Sequence, residues 1–204
     1  MEYVDVSPED IINEDTPYEL RREEFLNDVI MHEIRGYEQD GGYVNKPNDR
    51  GGETKFGISK NQYPNLNIKD LSQMQAMMIY NKDFLMNAES NYGKNPIAFK
   101  MADIQVNTGN STLIMQRTLN NLLIDNNIDI SGGVLTEDDK MGNNTKNAYN
   151  KVINAIGLPT LMNKLISEQK KYYDDIVRDD NSQAVFRDGW EKRADYRPKW
   201  DFIK

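Results

Sequence analysis

Apolar residues recur along this chain at the spacing of helices packed by one face, and polar, glycine-bearing stretches interrupt them. In the first such stretch Phe25, Leu26, Val29, Ile30, Ile34 and Tyr37 share one side. Thr16-Pro17-Tyr18-Glu19 ahead of it reads as a capping box with Pro at the first helical position. The helix is therefore expected to run to about Arg35, with Gly36 as its stop. A second helix starts within Asp70–Ala76; Met74, Met77, Met78, Phe84 and Leu85 supply its apolar spacing, and the methionines read as core. Pro96 opens a third, with Ile97, Met101, Ala102 and Ile104 facing inward and Asn107-Thr108-Gly109 at its end. Leu113 to Leu123 forms a further helix containing Gln116 and Arg117. Thr145 suits an N-cap. After Pro159 a long helix is expected from about Thr160 to Arg178, carrying Leu161, Leu165, Ile166, Tyr172, Tyr173 and Ile176. The pattern is that of a mainly α protein.

One stretch departs from it. Between Glu38 and Ser59 the chain packs Gly41, Gly42, Gly51, Gly52 and Gly57 among Asp40, Asp49, Glu53 and Thr54. Glycine pairs permit positive φ and tight turns, so this stretch is expected to form a short hairpin. Directly before it, Glu33 falls on the apolar face of the first helix, in the last turn. Burial and the negative end of the helix dipole both oppose ionisation of a carboxylate there, which suits a general acid working near neutral pH. The plainer alternative is that Glu33 reaches solvent from the margin of the stripe and that the glycine-rich stretch is an ordinary polar hairpin.

Composition narrows the classes. The chain has 204 residues, 38% hydrophobic and 28% charged, which fits a globular protein. No apolar run is long enough for a membrane span, and Met1-Glu2-Tyr3-Val4-Asp5 has neither a basic nor an apolar leader region. Residues 1–15 are acidic and aperiodic and read as an arm. With Cys 0 there are no disulfides or thiolate metal sites, and the single His32 excludes multi-histidine zinc chemistry. A net charge of −8 argues against a general nucleic-acid binder. Asp125-Asn126-Asn127-Ile128-Asp129 starts like a calcium loop, but Ile130 stands where the turn glycine belongs. No metal and no cofactor is expected.

Gly41-Gly42-Tyr43, Asp49-Arg50-Gly51-Gly52-Glu53-Thr54 and Phe56-Gly57-Ile58, in that order after a helix, resemble the hallmark of glycoside hydrolase family 108, a family of lysozyme-like muramidases. Read without gaps, the family's Glu position is Asp40. With an insertion of Ile34 to Asp40, the family's His-Glu pair is His32-Glu33 instead, which helix phase favours; Glu38 is a third candidate. The family's Asp-x-x-x-Asn-x-Gly run near the cleft is matched by Asp103, Asn107 and Gly109, a stretch that also reads as a plain helix stop. Asp138, Gly142 and Thr145, then Phe186, Gly189, Trp190 and Arg193, resemble the peptidoglycan-binding module usually fused to these enzymes, with Asp139 where glycine is usual.

The resemblance implies a lysozyme-like helical domain with a short glycine-rich β-hairpin over 16–109, and a packed helical C-terminal module over 110–204. It implies an N-acetylmuramidase whose catalytic residues are Glu33, Asp49 and Thr54, with Asp40 as the alternative acid. Tyr43, Phe56, Asp103 and Asn107 would bind substrate. The expected partner is the peptidoglycan glycan strand. The protein, a monomer, would be made in the cytoplasm and reach the wall by holin release, by lysis, in a virion or through a secretion system. The rival readings are a lytic transglycosylase, and an inactive wall-binding or virion protein that kept the fold.

Overall fold

The computed structural model describes residues 18–34, 42–45, 52–130 and 132–197; of residues 18–19 and 29–34 it describes the backbone alone. The arm at 1–15, the box at Thr16 and Pro17, the stop at Gly36, and the candidates Glu38, Asp40 and Asp49 lie outside the described residues. The described chain is mainly helical and falls into two compact units divided between Asn87 and Ala88.

The first unit begins with α1 (Tyr18–Ile34), which buries Phe25 and Leu26 as its apolar stripe requires. A hairpin follows, β1 (Thr54–Lys55) and β2 (Ile58–Ser59), antiparallel with Lys55 opposite Ile58. Its two loop residues, Phe56 and Gly57, have φ 51 and 74, both positive as a type I′ turn demands. Val44 pairs with Thr54 on the other side of β1, so the sheet is widened by one bridge. Helix α2 (Gln73–Ile79) starts where Ser72 and Gln75 close a reciprocal capping box. It runs into a π-helical turn, Tyr80–Leu85, and then α3 (Met86–Tyr92), of which residues 88–92 belong to the second unit.

The methionine stripe is not core. Met74 and Met78 are 73% and 65% exposed, while Ala76, Tyr80 and Leu85 are buried. Two residues from Ala76 in either direction is roughly 200° around an α-helix, so choosing the small alanine as the inward position puts both methionines outside. The π-turn then adds the extra residue that lets Tyr80 and Leu85, five apart, both face inward.

In the second unit α4 (Pro96–Thr108) is buried on every side from Pro96 to Ile104, capped by Asn95 and stopped at Gly109 in the left-handed conformation. It packs against α5 (Ser111–Asp125) and against α6 (Asn143–Asp179). Helix α6 begins earlier than the sequence pattern suggests. Its N-cap is Gly142, and Thr145 is no cap but a buried residue of the first turn. Gly157, at φ 77, and Pro159 break α6 into two segments, and the long helix expected after Pro159 is the second of them. A 3₁₀ turn (Asn181–Phe186) and α7 (Arg187–Ala194) complete the unit, with α7 against α6.

Candidate functional site

Glu33 stands in the last turn of α1, one residue before its end, where the helix presents its negative pole. The hairpin follows in the same compact unit. Thr54 is fixed on both sides: its backbone exchanges two 2.8 Å hydrogen bonds with Val44, and its Cα registers with Ser59. Its hydroxyl lies 3.5 Å from the Gly52 carbonyl, a weak bond that leaves the oxygen available. The Val44 bridge also brings the half-buried Tyr43 alongside the hairpin.

Phe56 occupies a conformation that costs a non-glycine residue on the order of 1–3 kcal/mol. Three contacts hold it there. The ring is buried, the Lys55 ammonium sits 5.4 Å from its centroid, and Tyr80 donates a 2.7 Å hydrogen bond to its carbonyl from the π-turn. Phe56 thus fastens the hairpin to its helix, the alternative to sugar stacking that its position leaves open in sequence. Tyr80 is the positioning residue that sequence reasoning missed; nothing in the apolar pattern distinguishes it from a core tyrosine.

The same unit holds a cavity of about 640 Å³ between the turn after β2 and the α2–π segment. Leu66, Leu71, Met78 and Ile79 form its apolar wall, and Tyr63 donates a 2.8 Å hydrogen bond to Asp83 at its rim. Burial, and then the Asp83 carboxylate, push the Tyr63 hydroxyl well above the usual tyrosine range, so it remains a donor.

Asp103 and Asn107 belong to the other unit. Asp103, 3% exposed, accepts a 3.1 Å bond from Arg193 Nε, and Lys100 Nζ lies 3.9 Å from its second oxygen. Asn107 donates to the Tyr173 hydroxyl, which also accepts from Gln169 at 2.8 Å. Asp103 Oδ1 thus joins α4 to α7, and the Asn107 amide joins α4 to α6. Lys100 completes that joint, donating to the carbonyls of Arg193, Ala194 and Tyr196 at 3.3, 2.9 and 3.0 Å. Burial lowers its pKa to about 8 despite the neighbouring Asp103. The motif tryptophan, Trp190, stacks on Tyr173 at 5.1 Å.

The other motif of this unit surrounds Gln116, which is 1% exposed. Its amide donates to Asp138 at 2.9 Å and to the Lys140 carbonyl at 3.1 Å, and its oxygen accepts from Asp139 N at 3.0 Å. The Gln116 amide first, and then the Lys140 N–H, which donates to Asp138 at 3.0 Å, hold the Asp138 carboxyl below the usual carboxylate range. Asp139 has φ 58, which explains why glycine suits this position. Here the aspartate is retained by a 2.7 Å bond from Leu113 N to its side chain.

Comparison with known proteins agrees with the order of these two sites. Residues 32–109 match the family model described as Glycosyl hydrolase 108, and residues 110–195 match that of the Predicted Peptidoglycan domain. Among solved structures the fold resembles SagA of Brucella abortus, with a TM-score of 0.54 and 18% identity over 84% of this chain and 90% of that one. No curated protein matches the sequence.

Proposed function

The chain carries a glycosyl hydrolase family 108 domain followed by a predicted peptidoglycan domain, the makings of a peptidoglycan hydrolase, and from that premise we propose that it is an N-acetylmuramidase. It cleaves the β-1,4 bond between N-acetylmuramic acid and N-acetylglucosamine. Glu33 protonates the leaving oxygen. Asp49, ionised, stabilises the oxocarbenium-like charge or, together with the Thr54 hydroxyl, holds the attacking water. Asp40 is the acid if the hallmark is read without a gap.

The observation that carries this reading is the placement of Glu33 at the end of α1, just inside the family match that begins at residue 32, with Thr54 pinned on β1 of the same unit. A carboxylic acid at a helix end and a hydroxyl on a rigid hairpin are the two polar elements that glycosidic cleavage requires to be held still. Tyr43 and the hairpin backbone around Gly52 supply the edge along which a glycan strand lies. The enzyme reaches its substrate from the cytoplasm by holin release, by lysis or in a virion.

Mass spectrometry of digested peptidoglycan tests the reading. Products with a reducing-end muramic acid support it, an anhydro-muramic product makes the chain a lytic transglycosylase, and intact glycan makes it a binding protein.

A further inference from the structure

The second unit has a cavity of its own, about 420 Å³, within the size range of ligand sites. Its back wall is the Gln116–Asp138 network, in which Gln116 has used both its amide and its oxygen, so the wall is rigid. Its front is bare main chain. Gly132, Gly133 and Gly142 line it, and a Cβ built on any of the three meets nothing within 4 Å. Positive φ, 99 and 76, accounts for the first two glycines. It does not account for Gly142, whose φ of −98 suits any residue.

As the N-cap of α6, Gly142 is also a weaker choice than Ser, Asp or Asn, and no side chain caps that end. Neither backbone strain nor packing calls for glycine there. The bare main chain there leaves room for a ligand to lie against it.

The chemistry of the remaining lining selects the ligand. Among the described residues that line the cavity none is aromatic, so they offer no flat ring on which a sugar face packs. Ile130, Leu135 and the 62%-exposed Val134 offer an aliphatic wall, and Lys140, Asn143 and Asn144 offer a cation and amides. The one carboxylate among the described lining residues, Asp138, is already bonded to Gln116 and to Lys140 N.

Exposed backbone, methyl-sized apolar surface and the Lys140 ammonium suit a short peptide bearing alanine methyls and free carboxylates. We propose that this cavity binds the stem peptide of peptidoglycan and not its sugar rings. The assignment rests on the reading of the chain as a peptidoglycan hydrolase. It adds that the two units recognise different parts of the polymer, glycan in the first and peptide in the second.

The test is equilibrium binding by calorimetry, using the full chain and two probes: a synthetic stem pentapeptide ending in D-alanyl-D-alanine, and a peptide-free N-acetylglucosamine tetramer. The parent chain binds the peptide, and Gly142→Ser, which places a side chain where the ligand meets the main chain, weakens that binding severalfold. Gly142→Trp, which fills the cavity from a position with open space around it, weakens peptide binding by about tenfold or more with an unchanged melting temperature. Lys140→Gln weakens it severalfold and flattens its salt dependence, and Lys140→Arg restores both.

Full peptide affinity in a folded Gly142→Trp chain, or no peptide binding by the parent, overturns the proposal. Tetramer binding that Gly142→Trp abolishes overturns the choice of peptide over sugar. Because peptide binding needs no bond cleavage, a chain that binds the peptide and releases no muropeptide refutes the hydrolase reading and leaves this site standing.

Discussion

Tyr80 donates a 2.7 Å hydrogen bond to the carbonyl of Phe56, the residue held at φ 51 in the hairpin turn. The bond joins the π-turn of the helix to the apex of the hairpin whose first strand carries Thr54. Tyr80→Phe keeps the ring and removes the donor, leaving a carbonyl unsatisfied against a strained turn. A loss of about 1–3 kcal/mol of stability is expected. Peptidoglycan turnover at a temperature where the chain is fully folded should fall further than the folded fraction does, because Thr54 loses its rigid mount. Parallel thermal melts and turnover measurements check this; unchanged turnover would make the bond a packing feature only.

Arg193 and Asp103, 90 residues apart, form a buried pair. Removing one partner strands a charge, so Arg193→Met should cost about 3 kcal/mol, with Lys100 compensating Asp103 only in part. Asp103→Leu combined with Arg193→Met should recover most of that loss. Urea unfolding of the single and double variants gives the coupling directly, and a cost near zero for Arg193→Met would show that the pair does not hold α7.

Lys100 gives the fold a pH signature. Its folded pKa, lowered by burial to about 8, lies below the 10.5 of an unperturbed lysine. Between those values the unfolded chain binds more protons, so stability rises with pH across that window. Tyr149, raised by burial from 10.0 to about 12, acts in the opposite sense from pH 10 upward. Denaturation midpoints of the parent, relative to Lys100→Met, should therefore climb from pH 8 to about 10. Parallel curves for the two chains would contradict the burial of a charged Lys100.

Local signals were legible in the sequence. Pro96 and Gly109 bound α4 as their backbone preferences require, and the glycines of the hairpin stretch mark the turn that Gly57 makes. Periodicity failed where a small residue was the buried one: Ala76 faces inward, so Met74 and Met78 do not. Thr145 looked like a cap because its side-chain type suits one, yet its hydroxyl is turned to a tertiary partner, Gln116 Nε2 at 3.4 Å. Bonds between residues far apart in the chain, such as Lys100 to the end of α7, leave no trace in spacing or composition. The acid is of a different kind: Glu33, Asp40 and Glu38 are separated by alignment and helix phase, and chemistry must choose among them.

That choice is made by the turnover of Glu33→Gln on purified peptidoglycan, measured beside Asp40→Asn and Glu38→Gln. Glutamine keeps the size and hydrogen-bonding reach of Glu33 and cannot deliver a proton. Hydrolysis by Glu33→Gln should fall by on the order of a hundredfold or more while the melting temperature holds or rises, and the other two variants should keep most of the parent's rate. A healthy Glu33→Gln beside a dead Asp40→Asn would contradict the account and make Asp40 the acid.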